Sequence, residues 1–293
     1  MSNALVSVVM ITYGHEVYIK QAIESILMQD CDFDFELIVS NDNSPDGTDY
    51  IVKKIINEHP KANKIKYHLH EKNLGMMPNF IFTLNQAKSK YIALCDGDDY
   101  WIDPLKLQKQ VNFLQENNDY SMTVGRFNYL YEKSKKCIQN KEIFNFKQPN
   151  LTLKNYIAFN FSHTSTFLYR NNFELPNWLL KVHSGDQSIF ILATNKGKIK
   201  YFNDLFSVYR INNESVSFNV NAKKAHKNTL NFLNFIDDLT QKKYSLLINS
   251  RKKLNTVYFY IESSKNRFFR TILKILAFSI RWFNCNVLVK FVK

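Results

Sequence analysis

The strongest constraint on the fold is an alternation of apolar, strand-like runs and helical patterns in the first half of the chain. Near-continuous apolar runs are typical of strands in a parallel sheet that is covered on both faces. Helical patterns lie near 15–29, from the NDNSPDGT turn to about 58, and near 76–88. The alternation predicts an α/β domain with a mostly parallel sheet flanked by helices. The four apolar runs are LVSVVMI (5–11), ELIVS (36–40), IKYHLH (65–70) and YIALC (91–95).

The second half follows a weaker pattern. SMTVGRF, STFLY and KIKYF are typical of strands, 186–195 of a short helix, and about 223–293 of further helices. In WIDPLKLQKQ, Asp103 and Pro104 predict the cap and the first turn of a helix. We predict one domain over 1–221, with halves of about 1–118 and 119–221, followed by a helical extension over 222–293.

The net charge of +13 is concentrated near the end of the chain. Residues 222–293 contain 15 lysines or arginines against three acidic residues, whereas the first 221 residues contain 24 against 23. The two parts are therefore expected to have different partners. A polycation can attract nucleic acid, but no recognised nucleic-acid module accompanies this one, so we expect no nucleic-acid partner.

Cysteine usage and the first residues bear on the compartment. The four cysteines have no metal-ligand spacing and are too scattered for a disulfide framework, which favours a reducing compartment. The segment MSNALVSVVMI lacks the basic region of a signal peptide, and no apolar stretch reaches the length of a transmembrane helix. We therefore expect a cytoplasmic protein.

Several common site motifs are absent from the sequence. The turn after the first apolar run, TYGHEV, has a single glycine, so it is not a GxGxxG dinucleotide motif. There is also no GxxxxGK[ST], no HExxH and no GxSxG. These absences argue against a P-loop nucleotide site, a zinc-protease site and a serine-hydrolase site.

The segment LCDGDDYW (94–101) places three aspartates, Asp96, Asp98 and Asp99, directly after the fourth apolar run. Carboxylates this close repel one another by roughly 3 kcal/mol per pair at ~5 Å and an effective dielectric near ~20. A divalent cation would hold them ionised together; a solvated acidic turn is the alternative. Ligands of parallel sheets bind beyond the carboxyl ends of the strands, where both Asp42 and this cluster fall.

Four segments of the chain stand in a characteristic order: SVVMITYGHEVYIKQAIESILMQ, FELIVSNDNSPDGT, NLGMMPNF and YIALCDGDDYWIDPLKLQKQVNFL. This order resembles that of family 2 glycosyltransferases, which are inverting enzymes with the GT-A fold. The resemblance covers about residues 4–217, because SGDQSIFILATNKGKIKYFNDLFSVYRINNESVS also looks like the acceptor-side half of the family. The DGDDYW…DPLKLQKQ variant is similar to bacterial enzymes that build surface polysaccharides. The last 70 residues lie outside the resemblance.

The resemblance implies a nucleotide site at the carboxyl ends of the strands. Thr12 and Tyr13 match the segment that walls the base and ribose, and Asp42 matches the aspartate that accepts a hydrogen bond from a uracil N–H; an ordinary turn residue is the alternative for Asp42. Asn79 is a further candidate on the helix that follows. The expected nucleotide-binding residues are Thr12, Tyr13, Asp42, Asn73, Gly75, Asp96 and Arg210.

The resemblance also implies a cation and a catalytic base. Asp96 and Asp98 match the DXD motif; Asp98 is the expected ligand of Mn²⁺ or Mg²⁺, and Asp96 is expected to face the ribose or to reach the metal through water. Such a cation neutralises charge on the departing diphosphate. Asp186 lies where the family has the base that deprotonates the acceptor hydroxyl. A helix cap is the alternative role for Asp186, and His183 is the reserve base.

Three positions depart from the pattern of the family. Asn41 stands where a first acidic residue is common, and Gly14 replaces a frequent asparagine. Related enzymes often have YRxH where this chain has YRIN, with Arg210 kept and Asn212 in place of the histidine. Any metal or phosphate role of that histidine is therefore missing or weakened.

The extension contains a basic amphipathic helix. Its four basic residues fall on one helix face, and ten apolar residues cover the rest, which predicts contact with an anionic membrane surface. Packing on protein is the alternative. The basic residues are Arg267, Arg270, Lys274 and Arg281; the apolar ones are Phe268, Phe269, Ile272, Leu273, Ile275, Leu276, Phe278, Ile280, Trp282 and Phe283.

Together these patterns predict an inverting, metal-dependent glycosyltransferase of bacterial surface polysaccharide synthesis. The donor is expected to be a nucleotide sugar, UDP-linked, and the acceptor a glycan or a lipid-linked glycan. We expect the protein to lie on the inner face of the cytoplasmic membrane, and the sequence leaves oligomerisation open. The alternatives are a polyprenyl-phosphate sugar transferase and a nucleotide-sugar-binding protein without activity.

Overall fold

The computed structural model describes residues 4–139, 151–158, 161–212, 222–264 and 266–291. These residues form two compact units. The first, which we call the body, comprises the described residues up to 139 and those from 162 to 212. The second, the helical unit, comprises the described residues of 151–161 and those from 222 onward. Residues 151–158, which the sequence placed within the larger domain, thus group with the C-terminal helices.

The body is built on one mixed sheet. Its strand order is β3-β2-β1-β4-β8-β6-β9-β5, with β7 paired to β6. β3, β2, β1 and β4 are parallel to one another, β8 is antiparallel to both of its neighbours, and β6 and β9 are parallel. The strands are β1 Val6–Thr12, β2 Phe35–Asn41, β3 Ile65–Leu69, β4 Tyr91–Leu94, β5 Tyr100–Trp101, β6 Tyr120–Tyr131, β7 Lys136–Gln139, β8 Leu168–Arg170 and β9 Lys198–Ile211.

Helices connect the parallel strands of the body, as the sequence predicted. Single turns of 3₁₀-helix occur at Ala62–Lys64, Thr164–Thr166 and Asn177–Lys181. The helical unit contributes α5 Leu153–Ala158, α7 Ala222–Leu239, α8 Ser245–Ser263 and α9 Arg267–Phe283, followed by Asn284–Leu288 in π-helical geometry and a last turn, Val289–Phe291. The helices of the body are α1 Ile19–Leu27, α2 Thr48–Glu58, α3 Met76–Gln86, α4 Lys106–Glu116 and α6 Gly185–Thr194.

The core explains why the strands carry their chemistry at one edge. β2 is buried along its whole length, and β1 and β4 are buried except at Ile11. α1 covers them with the residues that its helical period predicted, Ile19, Ala22, Ile23, Ile26 and Leu27. The strands are mostly apolar, and the buried polar exceptions Ser7 and Glu36 bond to each other. Thr12, Asp42 and Asp96 lie where β1, β2 and β4 end. The α/β architecture expected from the alternation is confirmed.

Two local predictions around Asp103 need correction. α4 begins at Lys106, so Asp103 lies before the helix; its carboxylate accepts the backbone N–H of Leu105 at 2.9 Å. Trp101, which the sequence placed at the start of the segment leading into this helix, instead forms a short strand with Tyr100; the strand is antiparallel to β9, with Tyr100 opposite Val208. A partner more than 100 residues away decides this pairing, so the local sequence does not predict it.

The helical unit contains its own apolar contacts. α8 and α9 meet through a cluster of Leu254, Ile261, Leu273 and Ala277. Within the described ranges, no helix combines the length and the hydropathy that a membrane span requires.

Candidate active site

The three aspartates after β4 have different surroundings. The side chain of Asp98 is 14% exposed and forms no hydrogen bond with a described residue. Burial raises the pKa of Asp96 to about 8, with further contributions from the charges of Asp98 and Asp186. These three carboxylates are therefore close enough to interact electrostatically. The structure brings together the residues expected for the cation and for the base.

Asp99 faces the protein interior. It is 1% exposed, its Oδ1 accepts the backbone N–H of Arg210 at 2.9 Å, and its Oδ2 lies 3.6 Å from Nδ1 of His163. Burial raises its pKa well above the ordinary value, and the charges of Asp98 and Asp96 add to the shift. Its contacts attach the motif to β9 and to the segment before β8.

The side chain of Arg210 binds the DGDD segment through its guanidinium group. Its Nε donates to Glu132 at 2.9 Å, its Nη1 donates to the backbone carbonyl of Asp98 at 2.7 Å, and its Nη2 donates to Gln21. The residue is only 4% exposed. The sequence placed Arg210 among the nucleotide-binding residues; in the structure, all three nitrogens of its guanidinium bond to protein groups. Its observed contacts position the loop that carries Asp98.

Asp42 fastens the loop that precedes α3. The residue is 2% exposed, and its two carboxylate oxygens accept the backbone N–H groups of Leu74 at 2.7 Å and Gly75 at 2.9 Å. Gly75 has φ +91°, in the region that favours glycine, and its N–H also bonds to the side chain of Asn73 at 2.9 Å. Asp42, Asn73 and Gly75 therefore form one hydrogen-bonded group. Asn79 lies behind them, where it accepts the hydroxyl of Ser40 at 2.6 Å.

The segment after β1 contributes a residue that sequence reasoning missed. Thr12 is buried, whereas Tyr13 is 47% exposed and free to meet a planar ligand. Thr12 Oγ1 lies 3.1 Å from Nδ1 of His15, and His15 Nε2 lies 3.9 Å from Oδ2 of Asp98. His15 thus connects the first loop to the aspartate motif. The only sequence signal was its place in TYGHEV, where no spacing distinguishes it.

Asp186 lies in the first turn of α6, where Ser184 is the N-cap residue. Its Oδ2 accepts the hydroxyl of Thr164 at 3.2 Å. Burial raises the pKa of Asp186, opposed by hydrogen bonds from the backbone N–H of Gln187 and from Thr164. His183, the reserve base, is exposed two residues before the helix. Asp186 is therefore not the cap residue itself, although the backbone N–H groups of the first turn lower its pKa.

A second residue missed by the sequence lies beside Thr164. The imidazole of His163 stacks on Tyr209 with a centroid distance of 4.1 Å, and its Nδ1 lies 2.8 Å from Oγ of Ser165. Burial lowers the pKa of His163 to about 3, so the ring is neutral at pH 7. The turn from His163 to Thr166 contacts Asp99 on one side and Asp186 on the other. One short segment therefore orients both.

The site fits a divalent cation that is shared with a phosphorylated ligand. Asp96 and Asp98 interact electrostatically, and among the described residues no lysine or arginine forms an ion pair with either carboxylate. The described residues also contain no group of three or more His, Cys, Asp or Glu side chains arranged to hold a metal. Mg²⁺ is usually bound by one or two carboxylates plus substrate phosphates and water. This donor set matches that mode.

Comparison with known proteins gives a family and a fold. The model of "Glycosyl transferase family 2" matches residues 7–173. An uncharacterised protein of Mycobacterium tuberculosis is 29% identical over 204 residues, which is 70% of this chain and 58% of that protein. This chain therefore spans little more than half the length of that relative. The GalNAc(5)-diNAcBac-PP-undecaprenol beta-1,3-glucosyltransferase of Campylobacter jejuni is 24% identical over 286 residues, 94% of this chain and 89% of that one.

Two solved structures share the fold. Staphylococcus aureus TarS 1-349 in complex with UDP-GlcNAc superimposes with a TM-score of 0.65 and 20% identity, covering 98% of this chain and 83% of that one. The mannosyltransferase PcManGT from Pyrobaculum calidifontis, in complex with GDP-Man and Mn²⁺, gives a TM-score of 0.61 at 12% identity, covering 96% and 87%. Both likenesses confirm the GT-A fold expected from the sequence.

Proposed function

Because the chain belongs to glycosyl transferase family 2, we propose that it moves a sugar from a UDP-linked donor to a glycan or lipid-linked glycan, with inversion at the anomeric carbon. The observation that carries the proposal is the convergence of Asp96, Asp98 and Asp186 at the carboxyl edge of the sheet. Asp96 and Asp98 suit a cation that also binds the diphosphate of the donor. Asp186 suits the role of the base. Asp42 follows β2, which β1 separates from β4 in the sheet.

The nucleotide would lie across the ends of β1 and β2. Asp42 already bonds to two backbone N–H groups, but each carboxylate oxygen has a second lone pair and can accept a uracil N–H as well. Tyr13 is exposed beside it and would stack on the base. The UDP-GlcNAc bound in the TarS structure supports a UDP-linked donor.

The cation, Mn²⁺ or Mg²⁺, would be held by Asp98, with Asp96 facing the ribose or reaching the metal through water. When bound, the cation supplies Lewis-acid neutralisation of the diphosphate. Arg210 acts through the loop: its bond to the carbonyl of Asp98 keeps this carboxylate in place. The Mn²⁺ in the PcManGT structure supports a divalent ion.

Asp186 would act as the base on the acceptor hydroxyl. The hydroxyl of Thr164 and the first turn of α6 fix its carboxylate. Burial raises its pKa, which makes the carboxylate a stronger base than an exposed one. The proton of the acceptor hydroxyl passes to Asp186 while the acceptor oxygen bonds to the anomeric carbon and the diphosphate leaves.

The acceptor would be a bacterial surface glycan or its lipid-linked precursor. The Campylobacter jejuni relative, which aligns with 94% of this chain, is named for a reaction on an undecaprenol-linked glycan. Such an acceptor lies at the inner face of the cytoplasmic membrane. An enzyme that acts on it gains from binding that surface.

α9 provides a surface for that contact. Leu273 and Ala277 pack against α8, while eight large apolar side chains elsewhere on the helix are exposed by 45% to 76%. Apolar side chains next to cationic ones suit the boundary between acyl chains and anionic headgroups. The exposed apolar residues are Phe268, Phe269, Ile272, Ile275, Leu276, Phe278, Trp282 and Phe283; the exposed cations beside them are Arg267, Arg270 and Lys274.

A donor screen tests the proposed function. The purified protein is incubated with a panel of UDP- and GDP-sugars, with and without Mn²⁺, and the release of UDP or GDP is measured. We expect release from one UDP-sugar that depends on Mn²⁺ and is lost in Asp186→Asn. Binding of UDP-sugars without turnover, with or without added glycan or polyprenyl phosphate, would contradict the enzyme and indicate a binding protein. Turnover only with polyprenyl phosphate would indicate a polyprenyl-phosphate sugar transferase.

A further inference from the structure

His15 occupies an unusual position between the first loop and Asp98. Its Nδ1 lies 3.1 Å from Oγ1 of Thr12, and its Nε2 lies 3.9 Å from Oδ2 of Asp98. The ring is also confined by Gly97, where an added Cβ would lie 2.9 Å from Nδ1. Both side chains are mostly shielded, at 19% and 14% exposure. The imidazole edge therefore faces the carboxylate in a defined orientation.

The separation of 3.9 Å is too long for a hydrogen bond, since N–H···O bonds span about 2.7–3.2 Å. Neither atom forms another hydrogen bond with a described residue. The two atoms thus face each other across a gap of 3.9 Å. A structural imidazole would be expected to close that gap.

The gap is short enough for one cation to bridge the two atoms. Ligand atoms about 2.1 Å from an octahedral ion lie about 3.0 Å apart when adjacent and about 4.2 Å apart when opposite. The distance of 3.9 Å lies between these two values, so a side-chain shift of less than about 1 Å would bring the atoms to either octahedral spacing. A metal-bound histidine donates its second ring N–H to a nearby acceptor. The hydroxyl oxygen of Thr12 is such an acceptor for Nδ1 of His15.

We propose that His15 Nε2 is a second protein ligand of the cation that Asp98 binds, with Nδ1–H donating to Thr12. The inference rests on the proposed function, which supplies the cation and its phosphate ligands. Asp98 and His15 then contribute one oxygen and one nitrogen, and the diphosphate and water complete the shell. Nitrogen in the shell has a consequence for the choice of metal. Imidazole binds transition ions, whereas Mg²⁺ takes oxygen ligands, so His15 shifts the preference of the site toward Mn²⁺ relative to Mg²⁺.

The test compares the affinities of the UDP-bound protein for Mn²⁺ and Mg²⁺. Mn²⁺ affinity is measured from the resonance signal of the free ion, and Mg²⁺ affinity by competition. His15→Phe keeps an aromatic ring and removes both nitrogens; we expect Mn²⁺ affinity to fall roughly 10-fold and Mg²⁺ affinity by much less. His59→Phe, at a half-buried histidine just after α2, is the matched control and should change neither. Equal loss of both affinities, or no loss, would overturn the ligand role.

A spectroscopic experiment on the unaltered sequence decides the case if His15→Phe does not fold. Spin-echo modulation of Mn²⁺ bound with UDP should show coupling to a histidine nitrogen, and the coupling should change when the protein is labelled with ¹⁵N-histidine. A spectrum without that coupling would overturn the inference. Asp98→Asn distinguishes failure of the cation site from failure of the ligand role of His15. If Asp98→Asn abolishes Mn²⁺ binding while His15→Phe does not, only the role of His15 fails. If Asp98→Asn has no effect, the proposed cation site fails as well.

Discussion

The body and the helical unit treat charge and apolar surface in opposite ways. In the body, Asp99 and Arg210 are 1% and 4% exposed and bond to one another through the backbone of Arg210. In the helical unit, Phe268, Ile275 and Trp282 are 76%, 64% and 51% exposed. The first unit buries this pair of charged residues against specific partners. The second exposes apolar side chains among cations.

This difference indicates two kinds of binding. Buried, bonded charges fix the position of the groups that carry chemistry, at a cost in desolvation that only close partners offset. Exposed apolar side chains on one helix mark a surface that a partner covers. The net charges agree: residues 222–293 contain 15 basic and three acidic side chains, whereas the first 221 are nearly balanced at 24 and 23. Changes in one unit should therefore leave the function of the other intact.

The largest effect is expected from Asp186→Asn. The amide keeps the hydrogen bond from Thr164, but it cannot accept the proton. Release of UDP from the accepted donor should fall 10²- to 10⁴-fold, while UDP affinity and binding to anionic vesicles stay unchanged. A variant that folds and turns over at near the original rate would leave Asp186 with a structural role only.

Arg210→Met should come next, through stability. It removes the partner of Glu132 and the donor to the carbonyl of Asp98, and loss of one member of a buried ion pair typically costs about 3–5 kcal/mol. Urea denaturation measures the loss. Arg267→Met, at an exposed site on α9, is the control and should stay within about 0.5 kcal/mol. Equal stability of the two variants would contradict the contrast between the units.

A triple substitution in α9, Arg267→Gln with Arg270→Gln and Lys274→Gln, should weaken vesicle binding. Each cation near an anionic surface contributes about 1 kcal/mol, so partitioning should fall about 10²-fold, measured by sedimentation with phosphatidylserine vesicles. Turnover should not change. Removing the helix is a poorer test, because Leu273 and Ala277 pack against α8.

The matched control for that experiment lies in the body. Lys20→Gln with Lys53→Gln and Lys133→Gln removes the same number of exposed charges. If this control lost vesicle binding to the same extent, the attraction would come from net charge rather than from α9.

The smallest effect is expected from a change of a single pH unit, in the protein without metal. Asp96 keeps its proton in the folded state up to a pKa of about 8, whereas an unfolded aspartate loses it near pH 4. The folded state therefore binds more protons between these values, so the free energy of unfolding falls as pH rises, by at most about 1.4 kcal/mol per pH unit for one proton. Thermal unfolding in chelator from pH 5 to 8 measures the slope, and Asp96→Asn should reduce it. A slope that Asp96→Asn leaves unchanged would assign the proton elsewhere.

Much of the body was predictable because its information is local. The apolar runs of β1, β2 and β4 and the period of α1 lie within short windows, and the aspartates follow a strand directly. The short strand β5 was not predictable, since its pairing depends on β9. The inward direction of Asp99 was not predictable for the same reason, because its partners are Arg210 and His163.

The site shows the same division. Motif order indicated Asp42, Asp98 and Asp186, and the structure brings Asp98 close to His15 and places Asp186 beside Thr164. Neither His15 nor His163 stands in a spacing that suggests a role. Their positions follow from the packing of loops that come together only in the folded chain. The nucleotide, metal and base roles of these residues remain predictions that the experiments above test.

The bond between Asp99 and Arg210 joins residues 111 positions apart, and this has a consequence for synthesis of the chain. At about 5–20 residues per second, a ribosome adds Arg210 about 6–22 s after Asp99. Until then, strands β1 to β4 can pair. The loop that presents Asp98, however, lacks Arg210, whose guanidinium bonds to the carbonyl of Asp98 and whose backbone N–H bonds to the buried Asp99. A nascent chain that ends near residue 118 therefore has its sheet edge before it has an ordered aspartate loop. The proposed site for the sugar donor is therefore completed only after most of the body has left the ribosome.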